Sequence, residues 1–129
     1  MTTPKDFKFS ESDEWIKVED DLAYVGISDF AQNQLSDIVY LEYELDVDDD
    51  FAKDDTIATI ESVKAAADVH APVSGKVVEV NENLIDSPES LNEKPYDNWL
   101  FKISISDPSE LDGLMDHDAY DTFCENIGH

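Results

Sequence analysis

Short apolar runs separated by polar, turn-like segments fill the first hundred residues: 15–18, 22–27, 38–41, 56–63, 77–80 and 100–105. Their brevity and β-branched content predict strands. Between two of them, Ser28-Asp29-Phe30-Ala31-Gln32-Asn33-Gln34-Leu35 reads as a short helix, with Ser28 as its N-cap and Phe30, Ala31 and Leu35 as its apolar face. The period then changes. Asp107-Pro108-Ser109-Glu110 supplies a cap, a proline at the first helical position and an acid at the third, and Leu111, Leu114 and Met115 follow at helical spacing. A second stretch, 116–127, puts Tyr120, Phe123, Cys124 and Ile127 on one stripe, and Gly128 ends it. The pattern predicts one mainly β domain over 1–129, with a core at about 9–106 and a helical appendage at about 107–128. A faint repeat runs through it: Ser36-Asp37-Ile38-Val39-Tyr40-Leu41 aligns with Gly75-Lys76-Val77-Val78-Glu79-Val80, 39 residues on, as expected of two similar half-sheets facing each other.

Composition narrows the function. No run of about 18 apolar residues could cross a membrane as a helix. The segment 1–10 lacks both an apolar signal core and an Arg-rich amphipathic pattern, so a cytoplasmic protein without a transit peptide is expected. Thirty-two acids stand against 8 lysines and no arginine, a formal charge of −24. Such a surface repels nucleic acid and anionic lipid, and it suits partners with basic patches or serves solubility alone. The single cysteine, Cys124, excludes an internal disulfide and a Cys-based zinc cluster, and its helical spacing makes it packing material. No GxSxG elbow, P-loop or GxGxxG is present, and His70, His117 and His129 are scattered along the chain, so an independent enzyme is not supported.

The informative stretch runs from Thr59 to Gly75. It reads as a strand, a tight reversal at Val63-Lys64-Ala65, and a second strand ending in a Pro/Gly corner. A lysine at a hairpin tip is sterically open, and the small alanines after it leave room for a modifying enzyme. Alone, an exposed lysine is a solubility residue.

The surroundings change that reading. Glu61-Ser62-Val63-Lys64-Ala65 resembles the lipoylation site of glycine cleavage H proteins, and Ala71-Pro72-Val73-Ser74-Gly75, with glycine 11 residues after the lysine, resembles the corner shared by lipoyl and biotinyl domains. Glu14-Trp15, Val25-Gly26-Ile27-Ser28-Asp29-Phe30-Ala31-Gln32, Asp37-Ile38-Val39-Tyr40, Asp86-Ser87-Pro88, Asn92, Pro95-Tyr96, Trp99-Leu100 and Asp107-Pro108 agree with it, from about residue 9 to about 120. Biotin is disfavoured because Val63 and Ala65, rather than methionines, flank the lysine. The resemblance implies a flattened lipoyl-type β-barrel, or hammerhead, of two half-sheets with a short internal helix and C-terminal helices. It implies N6-lipoyllysine at Lys64, with lipoate as the covalent cofactor and Glu61, Ser62, Val63 and Ala65 around it. It also implies a cleft lined by Glu14 and Asp68, with Glu61 near the arm's root.

The same resemblance implies a monomeric carrier with no turnover of its own. It would shuttle an aminomethyl group from a pyridoxal-phosphate glycine decarboxylase to an aminomethyltransferase, be reoxidised by dihydrolipoyl dehydrogenase, and be loaded by a lipoate ligase or lipoyltransferase. The alternative is an H-like relay donating lipoyl groups to other complexes, which needs the same lysine. Three departures stand out. Asp13 replaces the family's histidine before Glu-Trp, Ser36 replaces a glycine, and 46–55 is acidic and lacks the usual glycines. Asp46, Asp48 and Asp50 match the opening of a calcium loop. Phe51 and Ile57 stand where its glycine and bidentate glutamate belong, so a solvated loop without metal is expected.

Overall fold

A computed structural model describes residues 6–20 and 22–126. Among these residues, nine strands run in the order β1 (Lys8–Phe9), β2 (Glu14–Glu19), β3 (Leu22–Ile27), β4 (Ile38–Tyr43), β5 (Asp50–Phe51), β6 (Thr56–Ser62), β7 (Ala66–His70), β8 (Gly75–Val80) and β9 (Phe101–Ile105). They form two antiparallel sheets, β1-β2-β3-β9-β8-β5 and β4-β6-β7. The mainly β, two-sheet architecture is the expected one. The two ladders stay separate, so the barrel is flattened and unclosed.

The main core joins the two sheets. Ile16, Val25, Phe101 and Ile103 come from the larger sheet, and Leu41, Ile57, Ile60 and Val69 from the smaller. Both copies of the 39-residue repeat bulge at the same step, between Ile38 and Tyr40 in β4 and between Val77 and Glu79 in β8. An extra residue re-aims the strand there, leaving Val39 and Val78 exposed in both sheets.

A second, aromatic cluster lies on the other side of β2. Trp15, Phe7, Phe9, Tyr120 and Cys124 are buried together where α4 (His117–Asn126) packs against β1. Cys124 is thus packing, as its spacing suggested. Trp15 sits across from Gly26, whose missing Cβ makes room for the indole ring. Helix α1 (Asp29–Leu35) begins at Ser28, whose Oγ accepts the Ala31 N–H at 3.1 Å. Its Ala31 and Leu35 join the main core, and its Phe30 joins the aromatic cluster.

Several elements differ from expectation. The predicted helix after Asp107 is a 3-10 turn, Pro108–Gly113. Asp107 caps it through the Ser109 N–H, but Met115 is drawn away into a bridge with Phe9, each N–H meeting the other carbonyl at 2.8 Å. The acidic stretch is not merely solvated: Asp50 and Phe51 pair with β8, and Phe51 is buried. Two four-residue helices, α2 (Asn83–Asp86) and α3 (Ser90–Glu93), were not anticipated. Ile127, Gly128 and His129 lie outside the described residues.

Candidate functional site

The hairpin of β6 and β7 has the predicted tip. Ser62 fixes the turn: its N–H donates to the Ala65 carbonyl at 2.8 Å, and its Oγ accepts from the N–H groups of Lys64 (3.3 Å) and Ala65 (3.1 Å). The Val63 N–H reaches across to the Asp37 carbonyl at 3.1 Å, tying the tip to the start of β4. Lys64 is exposed, and among the described residues no carboxylate lies within ion-pairing distance of its Nζ. Val63 beside it is 71% exposed as well. The lysine is neither buried nor pinned, and either condition would have blocked its acylation.

Beside the tip lies a cleft of about 280 Å³. Ala65 and Ala67 of the hairpin form one wall, Ala31 and Leu35 of α1 the second, and Asp13 and Glu14 the third. A larger depression of about 440 Å³, lined by Lys53, Asp54, Pro72 and Met115, is not lined by any hairpin residue. Contiguity with Lys64, rather than size, singles out the smaller cavity.

Glu14 is 1% exposed. Burial raises its carboxyl above the usual glutamate range, and three donors oppose that shift. Ser10 and Ser12 donate their hydroxyls to Oε1 at 2.6 and 2.5 Å, and the His70 N–H donates to Oε2 at 3.0 Å. The expected cleft residue is therefore a buried and fully hydrogen-bonded carboxylate. Its donors come from the chain just before it and from the end of β7.

Asp68 stands on the cleft lip, but its Oδ1 lies 3.5 Å from Thr59 Oγ1, its cross-strand neighbour. Glu61 is exposed and pairs in register with Tyr40 and Ala66. It therefore sits beside the turn without lining the cleft, and its charge joins those of Glu42, the larger cause, and Glu44 in raising the Tyr40 phenol above its ordinary range. Sequence reasoning missed Ser10, Ser12 and the His70 backbone as supports of Glu14: the two serines are close to it in sequence but lie in an irregular turn with no periodic signal, and His70 is 56 residues away.

A family profile described as "Glycine cleavage H-protein" matches residues 7–127. The chain belongs to that family. Relatives include a glycine cleavage system H protein of Clostridium botulinum (strain Loch Maree / Type A3), 54% identical over 114 residues, covering 88% of this chain and 87% of that one. Another, from Alkaliphilus oremlandii (strain OhILAs), is 49% identical over 125 residues, covering 97% and 98%. A crystal structure of the H protein of Mycobacterium marinum superposes with a TM-score of 0.81 at 25% identity, over 98% of this chain and 100% of that one. Family membership gives the exposed lysine and the cleft beside it a common context. No helix among the described residues is long and apolar enough to cross a membrane, and no group of three or more His, Cys, Asp or Glu side chains among them is placed to hold a metal ion.

Proposed function

We propose that this H-protein family member is a lipoyl carrier of glycine cleavage, with Lys64 as the attachment point. The observation that carries the reading is an exposed, unpaired lysine at a side-chain-stapled hairpin tip beside a cleft that ends in a buried carboxylate. Once joined to Lys64 as an amide, lipoate supplies a strained disulfide that opens to carry an aminomethyl group from a glycine decarboxylase to an aminomethyltransferase, and that dihydrolipoyl dehydrogenase restores.

The residues present fit such an arm. Ile27, Ala31, Leu35 and Ala67 offer apolar walls for a hydrocarbon chain and ring. Glu14, its carboxyl oxygens oriented by three donors, would offer a buried acceptor to a cationic amine, out of reach of bulk water. Ser62 holds the turn so that the Lys64 backbone stays put while its side chain swings. The tether raises the arm's effective concentration at each enzyme in turn. Partners recognise an acidic surface, so their association weakens with added salt.

Intact-mass measurement after co-expression with a lipoate ligase tests the reading. A lipoyl increment is expected on the wild type and none on Lys64→Arg. An unmodified wild type, or an increment that persists in Lys64→Arg, would overturn it.

A further inference from the structure

Outside the cleft, one buried hydroxyl joins two of its walls. Tyr120 of α4 is 1% exposed, and its ring stacks on Phe9 at 4.5 Å and 7°. Its hydroxyl donates to Asp13 Oδ1 at 2.8 Å and lies 2.6 Å from Ser28 Oγ. The direction of the chain follows from chemistry. An ionised carboxylate only accepts, so the single phenolic proton points to Asp13. Ser28 Oγ already accepts the Ala31 N–H, so its own proton points to the Tyr120 oxygen. The result is one directed relay from the first turn of α1, through Ser28 and Tyr120, to Asp13. Burial raises the phenol well above its ordinary range, so the donor persists at any working pH.

Both ends of the relay face the cleft: Asp13 and Ala31 line it, and Glu14 follows Asp13 directly. Asp13 also needs holding. Its φ is 74°, a left-handed conformation that aspartate tolerates but does not favour. Its carbonyl accepts the Ser28 N–H at 2.9 Å, which closes a second link between the same two walls. Tyr120 itself does not line the cleft.

We propose that Tyr120 is a positioning residue of the arm cleft, its hydroxyl fixing the N-terminus of α1 against Asp13 and so setting the direction from which Glu14 enters the cavity. The inference rests on the carrier reading only for the purpose of that cavity. The relay itself can be tested on the unmodified protein.

Tyr120→Phe keeps the ring and its stacking and removes only the hydroxyl. In the unmodified protein, amide hydrogen exchange at Ala31 should quicken about fivefold, the factor that one hydrogen bond of about 1 kcal/mol represents. Asp13→Ala should do the same, Asp13→Asn, which keeps an acceptor, should restore most of the protection, and the double variant Tyr120→Phe/Asp13→Ala should add little. In the lipoylated, aminomethyl-loaded protein, ammonia release should quicken in the same variants while ligase modification of Lys64 stays unchanged. Phe123→Leu loosens α4 but keeps the hydroxyl, and it separates positioning from mere stability. If Phe123→Leu, at equal loss of melting temperature, shifts Ala31 exchange as much as Tyr120→Phe, or if Tyr120→Phe leaves exchange unchanged, the inference is wrong. Absence of the lipoyl increment in the wild type would instead sink the carrier reading and leave the exchange result standing.

Discussion

Ser36 ends α1 with φ 64° and ψ −141°, a backbone conformation that clashes with a Cβ and belongs to glycine. A non-glycine residue held there costs of the order of 1–3 kcal/mol. The surroundings force it: the Ser36 N–H closes the helix on the Gln32 carbonyl at 2.9 Å, and its carbonyl accepts from Asn92 Nδ2 at 2.6 Å. Asn92 Oδ1 in turn accepts the Ile38 N–H at 2.9 Å. The clamp matters because Asp37, the next residue, holds the Val63 N–H of the lysine hairpin. Among the described residues the Ser36 hydroxyl has no hydrogen-bond partner, so Ser36→Gly relieves the Cβ clash without losing a hydrogen bond there. Glycine adds about 0.5–1 kcal/mol of unfolded-state entropy, so the net gain should be about 1–2 kcal/mol. For a chain of this length that is about 4–7 °C in melting temperature. Urea titration should show a higher midpoint at unchanged m. Ser36→Ala, which keeps the Cβ, should gain nothing. If Ser36→Gly melts at or below the wild-type temperature, or if Ser36→Ala gains as much, strain at this residue is not what limits stability.

Three further outcomes are expected. Gly26→Ala would place a Cβ 2.7 Å from the Trp15 ring, which is 2% exposed and tied by its indole N–H to the Pro95 carbonyl at 3.0 Å. Overpacking there should cost about 3 kcal/mol, a drop of about 10 °C that calorimetry would reveal, and a variant melting like the wild type would mean the ring can shift freely. Glu14 has a raised carboxyl, so its contribution to stability is fully present below about pH 4.5 and is lost as pH rises through its higher folded-state value. The wild type should therefore gain stability relative to Glu14→Gln as pH falls from neutral towards 4.5, and a relative loss would mean that the three donors outweigh burial. With a charge of −24, self-repulsion should make the melting temperature rise by several degrees between about 0.01 and 0.5 M salt, and a flat response would show that the carboxylates are already compensated.

The elements legible in the sequence are those whose own length carries a period. β2, β3 and β6 each hold six or seven residues, enough for branched apolar runs to appear, and Ser28 marks α1 because a cap is a local device. β1 and β5 hold two residues each and have no period to show. Phe51 reads as an isolated apolar residue among acids, and only its pairing with Gly75 shows that it is buried. The tail looked helical from Leu111 to Met115, yet the long-range bridge to Phe9 overrides that spacing. In the site, the turn chemistry around Lys64 is local and legible. The cleft is built from β2, α1 and β7, and no spacing along one segment encodes its shape.

The charges divide by the same logic. Glu42, Glu44 and Glu61 are exposed on the small sheet, hydrated and screened, so they act at a distance and together, on the approach of basic partners. Glu14 and Ser28 are the buried polar residues among those described, and both are hydrogen-bonded, Glu14 to Ser10, Ser12 and the His70 N–H, Ser28 to Ala31 and Tyr120. A buried carboxylate costs folding energy unless its donors are in place beforehand. The chain places them through the Ser10–Ser12 turn and the end of β7. The C-terminal helix packs against β1, meets Phe30 of α1 in the aromatic cluster and reaches Ser28 through Tyr120. It braces the wall beside Asp13, while the lysine tip, held among the described residues by Ser62 and the Asp37 carbonyl, keeps its side chain clear.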